Sequence, residues 1–101
     1  MEVIYSSKSL RRLNNHLAFL QETLEYSDNK IIQLRRALLS RADSLALNPY
    51  IGLFEIYLDH LKEDHRRIIE GLYKIIYYIE DDKVFISDFF DTREDPSKMR
   101  G

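Results

Sequence analysis

Cysteine is absent from this chain of 101 residues, which excludes disulfide bonds and thiolate metal sites. Its absence is typical of a protein kept in a reducing cytoplasm. Long apolar runs are also missing: no segment approaches the ~20 apolar residues that a membrane span requires, and residues 1–6 do not join a basic region to an apolar stretch. We therefore expect a soluble, cytoplasmic protein with no membrane partner.

An excess of basic residues is missing as well. The formal net charge is −2, with 15 Lys and Arg against 17 Asp and Glu, and twelve of the acids fall in residues 51–101. A protein that binds nucleic acid by neutralising many phosphates usually carries a clearly basic surface. The composition therefore counts against a free-standing nuclease, and the length predicts one domain, 1–101.

Two apolar stripes in the first half of the chain predict helices. After a short candidate strand at 2–5, apolar residues recur at steps of three and four, with polar residues between them. The first stripe is Leu10, Leu13, Leu17, Leu20 and Leu24, and the second is Ile31, Leu34, Leu38, Ala42 and Leu45. The short polar break at 26–29 supplies a helix cap and predicts an antiparallel helical hairpin.

Strands are predicted in the second half. Pro49 and Gly52 end the second helix, residues 53–64 fit either a short helix or an extended segment, and 65–70 is typical of a strand. A β-hairpin then follows at 71–90, with its turn at 80–83. We expect an α+β fold of the order β-α-α-β-β-β, in which the helical hairpin packs on a mainly antiparallel sheet of three to four strands.

The hairpin's alternation sorts its side chains onto two faces. The expected pairs are Ile79 with Val84, Tyr78 with Phe85 and Tyr77 with Ile86, and the expected core face holds Tyr73, Ile75, Tyr77, Ile79, Val84 and Ile86. Phe89 is out of phase with that face, so a bulge near Ser87 or Asp88 is expected to return it to the core. The opposite face of the sheet is expected to be free for function.

The expected free face carries Lys74 and Tyr78, with Arg66 or Arg67 on the neighbouring strand. These side chains suit phosphate contact and base stacking, although exposed sheet faces also carry Lys and Tyr for solubility and cross-strand packing. Arg93 has two interpretations: it clamps a phosphate with two hydrogen bonds, or it pairs with Asp91 or Glu94. The pattern alone leaves both open.

Other candidate groups are weaker. His60 and His65 are five residues apart and have no further ligands near them in sequence, so we expect a solvated loop and no metal site. Asp88, Asp91 and Asp95 have no evident reason to converge as paired acids. His16 lies among polar residues of the first helix and is expected at the surface.

Taken together, the order of elements and several residues resemble the RelE/ParE superfamily of toxins from type II toxin-antitoxin modules. The matching features are the first strand, the helical hairpin, Pro49-x-x-Gly52, Arg67 before a strand, Gly71-Leu72-Tyr73-Lys74-Ile75-Ile76-Tyr77, and an apolar strand leading into Asp91-Thr92-Arg93. The match covers almost the whole chain and is most similar to the ParE-like, plasmid-stabilisation branch.

The resemblance implies a partner and two alternative activities. An antitoxin with an extended C-terminal segment holds such toxins inactive. RelE-like members cut mRNA on the ribosome with basic residues that stabilise the charge developing on the scissile phosphate, whereas ParE-like members poison DNA gyrase. Neither activity implies a cofactor or a metal.

Residue by residue, the resemblance implies a nuclease centre made of Arg67, Lys74 and Arg93, with Tyr78 assisting. Asp91, however, stands where many relatives have histidine, and a carboxylate there repels phosphate. We therefore expect a ParE-like toxin that binds its target, with an mRNA endonuclease or an inactive antitoxin-binding module as the alternatives.

Overall fold

The computed structural model describes residues 1–101 as two helices and a five-stranded sheet. The strands and helices are β1 (Glu2–Tyr5), α1 (Ser7–Glu22), α2 (Asp28–Asp43), β2 (Leu53–Phe54), β3 (Arg66–Glu70), β4 (Tyr73–Glu80) and β5 (Lys83–Asp91). Short 3-10 turns occur at Ser44–Ala46, Ile56–Leu58 and Pro96–Lys98. The α+β class and the helical hairpin are confirmed, and no helix is long and apolar enough to cross a membrane.

Serine side chains begin both helices. The Ser6 hydroxyl accepts a hydrogen bond from the Ser9 amide at 2.9 Å, and that of Ser27 accepts one from the Lys30 amide at 3.2 Å. Such caps satisfy amide groups that have no partner within the helix. Helix α1 ends before Leu24, which is about half exposed, so the predicted first stripe is one leucine too long.

The sheet has the strand order β1-β5-β4-β3-β2. β1 runs parallel to β5, and every other neighbouring pair is antiparallel. The sheet is thus larger than the predicted three to four strands, because the two-residue β2 adds an edge strand beside β3.

The predicted hairpin register is confirmed. β4 and β5 pair Ile79 with Val84, Tyr78 with Phe85 and Tyr77 with Ile86. The next pair joins Ile76 to Asp88, which leaves Ser87 as the extra residue of a bulge, and Phe89 returns to the core. Asp81 and Asp82 make the turn with φ of 51° and 57°, a conformation that aspartate tolerates better than most residues.

The main core lies between the helical hairpin and one face of the sheet. It joins residues of both helices and of the 3-10 turn after α2 to residues of β3 and of the β-hairpin: Leu13, Leu17, Leu20, Leu38, Ala42, Leu45, Ile68, Tyr73, Ile75, Tyr77, Val84, Ile86 and Phe89. The apolar stripes of the helices therefore pack against the apolar face of the alternating strands, as the helical and strand periods predict.

The opposite face of the sheet is not free, and that expectation was wrong. A second cluster of four buried residues covers its middle: Leu58, Ile76, Phe90 and Met99. Leu58 comes from the turn after β2 and Met99 from the C-terminal tail, so two segments without long regular structure fold back over the sheet. Both faces of β4 carry apolar side chains, and both sets are thus removed from water.

The uncertain segment 53–64 is neither one helix nor fully extended: β2 is followed by the 3-10 turn. Its entry point is held against Tyr77, whose hydroxyl accepts from the Gly52 amide at 2.9 Å and donates to the Pro49 carbonyl at 2.7 Å. A Cβ at Gly52 would lie 2.5 Å from that hydroxyl. Glycine is therefore required there by close approach.

Candidate functional site

Lys74 lies near the start of β4 on the sheet face opposite the helices, here called the second face, where it binds a buried carboxylate. Its Nζ is 2.7 Å from Oε1 of Glu55, whose side chain is only 1% exposed. The Nε of Arg67 lies 3.9 Å from the same oxygen, and the Nη1 of Arg67 donates to the Phe54 carbonyl at 2.5 Å. Two of the predicted phosphate-binding cations therefore converge, but on a carboxylate of the chain itself.

Glu55 was not among the residues that we predicted to be functional. Its carboxylate also accepts from the Tyr57 amide at 3.2 Å and so caps the following 3-10 turn. Glu55 directly follows a short apolar run, and no periodic pattern of apolar residues around it predicts that it is buried. Only its two basic partners, which lie twelve and nineteen residues further along the chain, explain its position.

Tyr78 lies at a distance from Lys74 on the same face. The two are four residues apart on β4, about 13 Å at the usual rise of a strand. The Tyr78 ring stacks on Phe85 with centroids 5.2 Å apart and meets the edge of His65 at 5.1 Å. Burial, with smaller contributions from Glu63 and Glu80, raises the pKa of Tyr78. The ring thus contacts other aromatic rings, and the pKa shift favours the protonated hydroxyl.

Arg93 lies on the other side of the sheet from Lys74. It forms a bidentate pair with Asp91, with Nε 2.9 Å from Oδ1 and Nη2 2.7 Å from Oδ2. Asp91 is opposite Tyr73 in the register and shares its helix-facing side. The structure therefore joins Arg67 to Lys74, but it does not bring Tyr78 or Arg93 to the same place.

His16 is not on the surface, and that expectation was wrong. Its side chain is only 13% exposed, and its Nε2 lies 3.0 Å from the Tyr73 hydroxyl and 3.3 Å from the Asp91 carboxylate. Burial, followed by the negative charge of Asp91, raises the pKa of Tyr73 to about 12. These contacts tie α1 to the ends of β4 and β5.

His65 is buried, whereas His16 is only partly so, and this contradicts the expected place of His65 in a solvated loop. Its Nδ1 lies 3.0 Å from the Glu63 carbonyl oxygen, while Nε2 has no hydrogen-bond partner. The three aspartates do not converge: Asp88 binds Arg12, Asp91 binds Arg93, and Asp95 caps the last 3-10 turn. No group of three His, Asp or Glu side chains is placed to hold a metal ion.

The Arg93 and Asp91 pair makes stability depend on pH. Burial alone would raise the pKa of Asp91, but the hydrogen bonds from Arg93 outweigh it and lower the pKa. A folded-state pKa below the unfolded value of about 3.9 stabilises the fold above that value, and this contribution is lost as the pH falls through the folded-state pKa.

We expect Arg93→Ala to raise the pKa of Asp91 and to lower the free energy of unfolding by about 1 kcal/mol at neutral pH, a small value because Arg93 is 46% exposed. Urea unfolding at neutral and at acidic pH should show that the difference from the wild type shrinks once the pH falls below the unfolded-state pKa of about 3.9. An equal difference at both pH values would contradict the assignment.

The architecture is a helical hairpin packed on one face of a mainly antiparallel sheet that leads into a charged tail. A solved structure of the chromosomal ParDE TA system from P. aeruginosa contains a chain that matches it with a TM-score of 0.72. The match covers 90% of this chain and 95% of that chain at 10% sequence identity. The resemblance read from the sequence is thereby confirmed at the level of the fold.

The likeness is one of structure. No protein-family profile matches the chain, and no curated protein matches its sequence. At 10% identity the side chains of a functional site are not carried over by the alignment.

Proposed function

We propose that this chain is the toxin component of a type II toxin-antitoxin module, that it is ParE-like, and that a cognate antitoxin neutralises it. The observation that carries the proposal is the match to a chain of the ParDE system over nine-tenths of the present chain. The sequence alone predicts the order β-α-α-β-β-β, to which the structure adds the short edge strand β2. We further propose, from the resemblance alone, that DNA gyrase is the target.

The electrostatics support a toxin that binds over one that cuts RNA. Cations contribute to phosphoryl chemistry when they face the charge that develops in the transition state. Here Lys74 and Arg67 face Glu55, and Arg93 faces Asp91. A phosphate would have to displace a carboxylate of the chain at each position, at the cost of leaving a charge without its partner.

Expression of the chain alone in bacteria should arrest growth, and co-expression of an adjacent gene that encodes a small DNA-binding protein should restore it. Arrest with double-strand breaks at gyrase sites and intact mRNA would support the binding toxin. The measurements are growth after induction, pulsed-field analysis of chromosomal DNA and mapping of mRNA ends.

The two alternatives predict different results in the same cells. An mRNA endonuclease would leave codon-linked cuts that disappear in Lys74→Met. Because that change also affects stability, it is compared with the double variant that adds Glu55→Gln. An inactive antitoxin-binding module would bind the adjacent gene product and leave growth unaffected, whereas unimpaired growth without any such binding would overturn the toxin assignment entirely.

A further inference from the structure

Residues 92–101, here called the tail, end in a cleft of the second face. Within the tail, Met99 has an extended backbone, with φ of −64° and ψ of 141°, and the residue is only 4% exposed. Its side chain packs against Leu58, Ile76 and Phe90. The tail is therefore anchored by one apolar side chain, as an extended peptide is when it binds in an apolar pocket.

The main chain on both sides of Met99 is held by one ion pair. Asp88, which is completely buried in β5, accepts a hydrogen bond from the Arg100 amide at 2.9 Å. Arg12 of α1 binds the same carboxylate through Nε and donates from Nη2 to the Lys98 carbonyl at 3.2 Å. Both bonds contact only main-chain groups of the tail, so they suit any extended segment that lies in the same place.

The tail leaves one polar atom of the cleft without a partner. Nδ1 of the buried His65 lies 3.0 Å from the Glu63 carbonyl oxygen, which can only accept, so in the neutral ring Nδ1 carries the hydrogen and Nε2 is an acceptor. Nε2 has no hydrogen-bond partner. Gly101 covers it so closely that a Cβ there would lie 2.7 Å from Nε2. The tail thus supplies no donor to a buried acceptor that needs one.

Few contacts hold the end of the tail. Its start is tied to the sheet, because the Thr92 amide donates to the Leu72 carbonyl at 2.9 Å. Beyond that point an open hollow of about 630 Å³ lies beside the tail, between it, the start of α1 and the residues that follow β2. A segment held by one buried side chain and a few hydrogen bonds opens without unfolding the sheet beneath it.

We propose that the cleft binds an extended segment of another protein, and that the tail occupies it as a built-in competitor. The segment places a large apolar side chain in the pocket of Met99, offers its main chain to Arg12 and Asp88, and donates a hydrogen bond to Nε2 of His65. A second copy of this chain is a poorer occupant, because it brings the same glycine and leaves the same nitrogen unpartnered. This inference does not depend on the proposed function.

Hydrogen exchange of the wild-type chain tests whether the tail detaches. The Arg100 amide should exchange through a local opening that low concentrations of urea do not promote, whereas amides of β4 should exchange only with global unfolding. Met99→Ser should speed exchange at Arg100 by about tenfold or more, because it removes the apolar anchor. Lys98→Ser is the matched control, since that side chain is exposed and only its carbonyl is bound.

Binding of a separate peptide tests the cleft itself. The probe is a synthetic peptide with the sequence of residues 92–101, titrated by calorimetry into the Met99→Ser chain, whose own tail competes less. It should bind this variant about tenfold more tightly than it binds the wild type or Lys98→Ser. A peptide with serine in place of methionine should not bind. Circular dichroism and urea unfolding check that both variants are folded.

A second peptide tests the contact with His65. In it serine replaces the final glycine, and because the peptide is not tied at its start, it can shift outward to admit the Cβ. Its hydroxyl supplies the missing donor, so it should bind Met99→Ser about two- to tenfold more tightly than the first peptide. The gain should disappear when His65→Phe is added, since phenylalanine keeps an aromatic ring against Tyr78 but has no acceptor.

Three outcomes would overturn the proposal: the Arg100 amide exchanges only with global unfolding, the first peptide fails to bind Met99→Ser, or the serine peptide gains nothing through His65. Dimers of the wild-type chain formed by exchange of tails, detected by sedimentation velocity, would assign the cleft to a second copy and overturn it as well. None of these results affects the toxin assignment, which is tested by growth arrest.

Discussion

Replacing Arg12 with leucine will lower the free energy of unfolding by about 3–5 kcal/mol. The carboxylate of Asp88 is completely buried in the β5 bulge, and the Nε of Arg12 lies 2.5 Å from its Oδ1. The remaining oxygen, Oδ2, accepts from the Arg100 amide at 2.9 Å. Removing Arg12 leaves a buried negative charge with one neutral donor, which is one of the mechanisms that produce large losses of stability.

Urea or thermal unfolding measures this loss, and two further variants define its cause. Arg11→Leu is the matched control, because Arg11 is the adjacent, exposed arginine of α1 and forms no salt bridge. Adding Asp88→Asn to Arg12→Leu removes the buried charge and should recover much of the stability. A loss as large in Arg11→Leu, or no recovery in the double variant, would show that the pair is not responsible.

Replacing Lys74 with methionine will destabilise the fold by about 3 kcal/mol. Methionine keeps the length of the side chain but leaves Glu55, 1% exposed, without its partner at 2.7 Å. The nearby Arg67, at 3.9 Å, compensates only in part. Because Glu55 also caps the turn that covers the second face, the loss should extend to the packing of Leu58 against Ile76.

The control for this change is Lys83→Met, an exposed lysine at the start of β5 whose loss should cost less than about 0.5 kcal/mol. Glu55→Gln combined with Lys74→Met should be more stable than Lys74→Met alone, since an amide needs no counter-charge. If the single variant is as stable as the wild type, Lys74 is not a structural ion-pair partner and is available for a ligand. A loss of activity in a Lys74 variant can therefore be interpreted only when the stability of that variant has been measured as well.

Local periodicity was sufficient for most of the regular structure. The steps of three and four predicted both helices, and alternation predicted the pairs around Tyr77 together with the bulge that returns Phe89 to the core. Both signals depend on one physical condition: each element buries one face, so the period of the apolar residues follows the period of the backbone.

The candidate site was harder to predict from the sequence, because its geometry depends on contacts between distant segments. Arg67 and Lys74 were recognised as cations of one sheet face, but the residue that binds both, Glu55, lies in a segment with no regular period. Arg93 had two interpretations from its neighbours, and the structure selects pairing with Asp91. The sequence contains both partners of each ion pair, but it does not show which side chains come within bonding distance in the fold.

The sequence by itself determined the helices, the register of the hairpin and the resemblance to the RelE/ParE fold, because these follow from apolar spacing over short stretches of chain. Only the tertiary structure decided what covers the second face and where the charges go. Met99 and Leu58 pack over Ile76, the His16 ring lies against Tyr73, and Glu55 binds Lys74 with Arg67 nearby. Burial of a polar group depends on partners from several segments at once, and no local period encodes that.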